Sequence, residues 1–260
     1  MTVAQATSTS EASRIRRTSF ATLAVLYAAG TAFASFGLPS LLTAWTTSGD
    51  EIAMRTHYVI WGLLAGVFIP LAALPLVRRP LPALGQQLGA FVAAAALALA
   101  LAFEPENARY VALFTAPAVA LLLLHPHRRQ LFSAGAWDRV MLGVAALGVL
   151  PATLWAVDNL RLSAQTHYLD TMHGQYAHAG VLGLALAFSA VVAARRAAGW
   201  VWVTGSTVCC TLLLGLAGLL FPEDPSSVGT SGGALAITLA AAFLAAAGRH
   251  VDRTGAAARG

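Results

Sequence analysis

RRPLPALGQQLGAFVAAAALALALAFEPE, residues 78–106, begins with two arginines and ends with two glutamates around one apolar run. An α-helix needs ~20 apolar residues to cross the hydrocarbon core of a bilayer, and the run is of that length. In membrane proteins, arginines sort to the cytoplasmic ends of such helices. The stretch therefore predicts a transmembrane helix with its arginine end in the cytoplasm.

The composition extends this prediction to the whole chain. Of the 260 residues, 58% are hydrophobic and only 10% are charged, whereas soluble domains carry about 25% charged residues. The class is an all-α, polytopic integral membrane protein. Apolar runs predict eight spans, at residues 20–45, 57–77, 84–103, 110–124, 141–157, 176–194, 200–221 and 232–248.

The charges orient these spans. If eight spans alternate in direction, thirteen of the sixteen basic residues share one side: Arg14, Arg16, Arg17, Arg78, Arg79, Arg128, Arg129, Arg139, Arg195, Arg196, Arg249, Arg253 and Arg259. The other side receives eight of the eleven acids: Asp50, Glu51, Glu104, Glu106, Asp158, Asp170, Glu223 and Asp224. We therefore expect a cell-membrane protein with both termini in the cytoplasm.

The same sorting explains the high pI of about 9.9. The basic residues are spread over five cytoplasmic segments rather than forming one stripe, so the expected partner is the lipid bilayer and not nucleic acid. Self-association with a second copy of the chain is a further alternative.

The absence of lysine excludes some functions, and the two cysteines are adjacent. The chain has no lysine, which rules out Schiff-base retinal chemistry and P-loop nucleotide hydrolysis. Cys209 and Cys210 are neighbours on a predicted helix and point in different directions, so we interpret them as core residues.

Both chain ends have compositions typical of disorder, which places cytoplasmic tails at residues 1–19 and 251–260. The first apolar run also resembles a cleavable signal peptide ending at Ala34. Because apolarity continues to Trp45, a first membrane span is the favoured interpretation.

Landmarks in the first half recur in the second. LVRRP at Arg78 recurs as AARRA at Arg195, an offset of 117, and AFEPE at Phe103 recurs as LFPED at Phe221, an offset of 118. The sequence thus predicts two pseudo-symmetric four-helix halves, 20–129 and 130–250, related as parallel repeats. Glycines near matched positions, Gly62, Gly66, Gly180 and Gly183, predict a close approach of spans two and six.

Four of the seven histidines fall on the predicted outer side. His57 and His178 begin spans two and six, and the longest connection, residues 158–175, adds His167, Asp170 and His173. Imidazole and carboxylate groups bind copper, zinc or haem iron. We therefore expect an outer metal site formed by His57, His173 and His178 with His167 and Asp170, or a haem site on His57 and His178.

Other interpretations stay open, and the pattern does not decide whether the chain is an enzyme. The outer histidines are also typical of a hydrated loop, or of a proton-linked transporter for a small molecule or lipid. A non-catalytic membrane scaffold is a further alternative. His125, His127 and His250 lie beside cytoplasmic arginines, which favours ordinary interface residues.

The plan of eight spans in two sets of four is similar to that of haem A synthases, in which histidines on the even-numbered spans ligate haem. His57 and His178 match spans two and six. Spans four and eight have no histidine at their outer ends, and the family's loop cysteines are missing. Eight-span copper-resistance membrane proteins with outer histidines and methionines look similar at the same level, and the sequence is assigned to neither family.

Overall fold

A computed structural model describes the backbone of residues 3–47, 54–166 and 174–257, and the side chains of residues 15–47, 54–166 and 174–249. This part of the chain is helical and contains no strand. Eight of its helices are long and apolar enough to cross a membrane. The prediction of an all-α protein with eight helices able to span a membrane is confirmed for these residues.

The eight helices correspond in order to the predicted spans. The first two are composite: α1 comprises Val3–Ala29, a π-helical turn Gly30–Ala34 and Gly37–Thr46, and α2 comprises Arg55–Trp61, the π-helical Gly62–Phe68, Ile69–Ala73 and a 3₁₀ turn Leu74–Val77. The others are α3 (Pro82–Leu101), α4 (Pro105–Leu124), α5 (Arg139–Gln165), α6 (Gln175–Ala194), α7 (Trp200–Leu220) and α8 (Gly229–Ala257).

Local signals explain several helix starts. Pro82 and Pro105 occupy the first turns of α3 and α4, where a residue without an N–H costs nothing. Asp138 caps α5 by accepting hydrogen bonds from the N–H groups of Val140 and Met141, both at 3.0 Å. Helix also extends into both terminal segments for which the composition predicts disorder, from Val3 and to Ala257.

Helix α1 is broken where it crosses α2. Phe36 adopts a left-handed conformation with φ of 58°, and the helix resumes at Gly37. A Cβ atom added to Gly37 would lie 2.6 Å from the backbone nitrogen of Gly66, so the two backbones touch at this crossing. Only glycine allows so close an approach.

The glycines of α2 and α6 therefore serve a different contact from the predicted one. A Cβ on Gly62 would meet Leu41 of α1 at 2.6 Å, and one on Gly180 would meet Leu160 of α5 at 2.5 Å. Gly66 and Gly183 likewise face α1 and α5. These glycines allow α1 to pack closely on α2, and α5 on α6. Helices α2 and α6 meet each other through larger side chains, among them His57, Trp61 and His178.

The helices form two groups in contact. α1–α4 pack around one another, as do α5–α8, and the groups meet through α2 against α7 and α3 against α6. A buried hydrogen bond also crosses between them, from Gln87 Nε2 on α3 to Ser206 Oγ on α7 at 2.8 Å. A polar link in an apolar interface fixes the register of the helices that it joins.

Loops gather at two opposite ends of the bundle. We call the end that carries Arg78, Arg128 and Arg195 the arginine face, and the end that carries His57 and His178 the histidine face. At the arginine face, Asp138 forms an ion pair with Arg196 at 3.1 Å. Cys209 and Cys210 are free thiols, and Cys210 is buried in the core as expected.

Candidate histidine site

The structure brings together two histidines from different halves. His57 lies in the first turn of α2 and His178 in the first turn of α6, and their imidazole rings stack with centroids 5.7 Å apart and planes inclined by 26°. His57 is buried, with 7% of its surface exposed. The predicted proximity of these two side chains is thus a feature of the fold.

Trp61 forms the membrane side of this pair. It follows His57 by one helical turn, and its ring lies 4.6 Å from that of His178. The indole N–H donates a hydrogen bond of 2.7 Å to the carbonyl of Ser35, which the break in α1 makes accessible. Phe114 of α4 packs edge-on against the indole at 5.1 Å. Four helices therefore fix the surface on which the imidazoles rest.

Trp61 was not among the predicted site residues. Its spacing of four residues from His57 was the available signal, because residues four apart share one helix face. Its partner Ser35 carries no such signal, since a helix break of this kind depends on the neighbouring helix.

A carboxylate from the second half holds the start of α2. Asp224, in the loop after α7, accepts hydrogen bonds from the backbone N–H of Thr56 at 3.1 Å and from its hydroxyl at 3.4 Å. A carboxylate at a helix N-terminus accepts a hydrogen bond from a backbone N–H that has no partner within the helix, and its negative charge interacts favourably with the positive end of the helix dipole. Thr56 precedes His57, so Asp224 positions the first turn that carries the imidazole.

An aromatic and cationic cluster surrounds that cap. The guanidinium of Arg55 lies 4.6 Å from the ring centroid of Phe221, and Trp45 packs against the same ring at 5.5 Å. Contacts of this kind anchor the loop between α7 and α8 over the ends of α1 and α2. The loop is thereby part of the site's support.

Three of the five predicted ligands belong to the segment between α5 and α6. His167, Asp170 and His173 lie outside the described residues. Within the part of the chain whose side chains are described, no three His, Cys, Asp or Glu residues are grouped closely enough to hold a metal ion. The observed site is an imidazole pair.

A small cavity lies beside His178. Its volume is about 30 Å³, and Trp61, Phe91, Asn107, Phe114 and Val181 contribute to its walls. Ligand sites for drug-sized molecules are about 300–1,000 Å³. The space next to His178 is therefore far too small for a macrocycle.

At the arginine face, His125 differs from the interface residue that the sequence predicts. Only 2% of its surface is exposed, its ring packs edge-on against Phe20 at 4.7 Å, and its Nδ1 accepts a hydrogen bond from the His127 N–H at 3.1 Å. Burial lowers the pKa of His125, a hydrogen bond with the backbone carbonyl of Leu76 partly opposes this shift, and the nearby charges of His127 and Arg16 add to the lowering. His127 is exposed, as predicted.

The fold and the site define a class: a multi-pass helical membrane protein with a histidine pair at one end of its bundle. Comparison with protein-family models, with curated proteins and with solved structures found no match for this chain. What the site can do follows from its own chemistry.

Proposed function

We propose that His57 and His178 form the core of a transition-metal site at the histidine face. The observation that carries this proposal is the pairing of two imidazoles from separate helices at 5.7 Å. Two imidazoles bound to one ion at ~2.0–2.1 Å have ring centroids roughly 5–6 Å apart. Small rotations of the two rings would therefore direct one nitrogen of each at a shared ion.

The surroundings favour zinc or copper, and further ligands come from the adjoining loop. Imidazole suits both metals. His173 precedes His178 by five residues, and the connection from Gln165 to Gln175 starts and ends at the histidine face. We include His173, His167 and Asp170 as additional ligands in this proposal. Haem is the weaker candidate, because the cavity beside His178 measures about 30 Å³.

The proposal includes an orientation. The arginine face carries Arg78, Arg79, Arg128, Arg129, Arg195 and Arg196, so the positive-inside rule assigns it to the cytoplasm together with both termini. The metal site then faces the exterior of the cell membrane. Lipid is the partner that this arrangement requires, and self-association is compatible with it.

We also propose that the two halves are parallel repeats. Gly62 packs against Leu41 as Gly180 packs against Leu160, with offsets of 118 and 119 between the members. The contact of α2 with α7 is the counterpart of that between α6 and α3. His57 and His178 would then lie on either side of the repeat axis, which is why they meet.

Metal titration of the purified protein tests the site. Wild-type protein in detergent, stripped with a chelator, is titrated with Zn²⁺, Cu⁺ and Co²⁺, and Co²⁺ binding is followed by its visible spectrum. We expect one ion per chain, and His57→Ala or His178→Ala should weaken binding by more than the 10–100-fold typical of second-shell substitutions. His127→Ala, an exposed histidine on the arginine face, is the matched control.

The proposal fails if the wild-type protein binds no ion, or if His127→Ala weakens binding as much as His57→Ala. His57→Gln keeps a polar side chain at the buried position. It should lose the metal while matching the wild type in helicity and in gel-filtration profile.

A further inference from the structure

One corner of the arginine face concentrates positive charge. Buried His125, at the end of α4, packs its ring against Phe20 of α1 and is hydrogen-bonded to the backbone of Leu76 in α2. Arg16 of α1 reaches the same place, because its Nε donates a hydrogen bond of 3.2 Å to the carbonyl of Leu124. The chain segments that meet there carry six exposed arginines, which we call the arginine cluster: Arg16, Arg17, Arg78, Arg79, Arg128 and Arg129.

Acidic side chains do not neutralise the arginine cluster. Among the side chains that the structure describes, the one carboxylate at the arginine face is that of Asp138, which pairs with Arg196 at 3.1 Å and caps α5. Within the same residues, no member of the cluster forms an ion pair. The C-terminal ends of α2 and α4 each contribute a partial charge of only about −0.5. The corner therefore carries a net positive charge.

Two members of the cluster lie on a segment that the fold holds in place. The connection between α4 and α5 contains the 3₁₀ turn Arg128–Phe132, in which Leu131 is fully buried. Leu131 packs on α3 at Gly85, where an added Cβ would lie 2.8 Å from the leucine Cβ. Gln86 Nε2 also donates a hydrogen bond of 2.9 Å to the carbonyl of Ser133. A ligand of this turn meets a preformed backbone, which avoids the entropic cost of ordering a flexible loop.

Exposed apolar side chains indicate that the cluster lies at the level of the lipid headgroups. Phe132, which ends the 3₁₀ turn, is 61% exposed, and aromatic side chains are typical of the interface between membrane and water. On the bilayer side of Arg16, Leu123 and Leu124 of α4 are also exposed. A molecule that matches both surfaces has an anionic group and hydrocarbon chains, as a phospholipid does.

The charge of the cluster also distinguishes between kinds of phospholipid. Guanidinium groups donate paired hydrogen bonds to phosphate oxygens. A zwitterionic headgroup carries a cation as well, which the arginines repel, whereas an anionic headgroup such as that of phosphatidylglycerol carries none. Each basic residue near an anionic membrane surface strengthens binding roughly fivefold.

We propose that the arginine cluster is a binding site for one anionic phospholipid of the surrounding leaflet. The phosphodiester accepts hydrogen bonds from Arg128 and Arg129, and Arg16, whose Nε is bound to the Leu124 carbonyl, adds its two terminal nitrogens. The acyl chains lie along the exposed leucines of α4. The site is at the end of the bundle opposite to the histidine pair and does not depend on metal binding there.

Two lipids that share their acyl chains but differ in headgroup charge, dioctanoyl phosphatidylglycerol and dioctanoyl phosphatidylcholine, provide the test. The full-length protein is immobilised in a non-ionic detergent and equilibrated with each lipid, and the amount retained by resin without protein is subtracted. We expect saturable binding of one phosphatidylglycerol per chain, roughly tenfold tighter than that of phosphatidylcholine. Equal affinities for the two lipids, or binding that does not saturate, would overturn the proposal.

Inorganic phosphate distinguishes a lipid site from a site for a free anion. Added in excess over the lipid, it should leave phosphatidylglycerol bound, because it lacks the hydrocarbon chains that contact α4. Displacement of the lipid by inorganic phosphate would contradict the assignment to a phospholipid.

Paired substitutions locate the bound lipid. Arg128→Gln/Arg129→Gln should lower the affinity for phosphatidylglycerol to about that for phosphatidylcholine. Arg139→Gln/Arg249→Gln, the control, removes the same charge from two exposed arginines at the same face, on α5 and α8, and should bind as wild type does. Both double variants replace exposed side chains, so their gel-filtration profiles should match that of the wild type.

Two results with these variants would refute the site. Full affinity in Arg128→Gln/Arg129→Gln would show that the lipid binds elsewhere. An equal loss in the two double variants would show that the lipid responds to the total charge of the arginine face and not to the cluster.

Discussion

The first four helices and the last four pack in different ways. In the first half, α1 and α2 contain π-helical segments and a break, and their backbones touch at Gly37 and Gly66. In the second half the four helices run without such segments, glycines close α5 on α6 and α7 on α8, and about 170 Å³ stays open between the pairs. The two sets of helices thus differ in the regularity of their backbone and in the space that is left between them.

The largest expected effect is on the free energy of unfolding, and it compares a glycine at a tight helix contact with a glycine beside open space. Gly37→Ala should destabilise the protein by about 1–3 kcal/mol, because its methyl group overlaps the backbone of Gly66 and of Thr31. Gly148→Ala should change the free energy of unfolding by less than ~1 kcal/mol, in the stabilising direction, through better helix propensity and a smaller cavity. Reversible unfolding in mixed micelles measures both. Equal destabilisation by the two substitutions would remove the distinction between the halves.

The next effect concerns the loop after α7, in which Asp224 accepts a hydrogen bond from the first turn of α2. Asp224→Ala should cost about 1 kcal/mol, the usual value of a helix cap. It should also weaken Zn²⁺ binding, because the first turn of α2 that carries His57 loses its anchor. Glu223→Ala, at the exposed neighbouring acid, is the control for both measurements. Unchanged stability in Asp224→Ala would show that the contact with Thr56 is not a cap.

The smallest effect is a pH dependence that belongs to the first half. His125 has a lowered pKa in the folded protein, so it contributes stability above the unfolded value of about 6.5, and this contribution is lost as the pH falls through the folded pKa. Protonation also removes the acceptor of the His127 N–H. Unfolding curves are measured from about pH 7.5 to about pH 5, a range that includes this pKa. The free energy of unfolding should fall with pH in the wild type and should depend less on pH in His125→Asn. His127→Asn removes one nearby charge but keeps His125 buried, so it should retain most of the dependence. A pH profile unaltered in His125→Asn would refute this role.

The sequence predicted the class and the number of spans well, because apolar length is a local property. Each run of ~20 apolar residues must span the bilayer whatever its neighbours do. The predicted ends of the helices were less accurate. Helix α4 begins at Pro105, whereas the predicted span began at residue 110, and α5 continues to Gln165, whereas the predicted span ended at residue 157. Polar residues such as Glu106 and Asp158 extend these helices beyond the apolar run, where capping and neighbouring loops decide the boundary.

The site was predictable only in part. His57 and His178 could be paired from sequence because both begin helices at matched positions of the proposed repeat. The roles of Trp61, Asp224 and Ser35 depend on contacts between residues up to 168 positions apart, between Thr56 and Asp224. No local pattern encodes such distant contacts.

Sequence by itself determined that this protein has eight helices long and apolar enough to cross a membrane, and which ends of those helices share a face, since hydrophobic length and arginine sorting act on each helix separately. Tertiary structure decided which glycines touch, which histidine is buried, and where space is left in the bundle. In the apolar interior nearly every surface is Ala, Leu, Val or Gly, so composition does not distinguish one helix face from another. Close packing does, because a methyl group at Gly37 overlaps a neighbouring backbone while one at Gly148 has room.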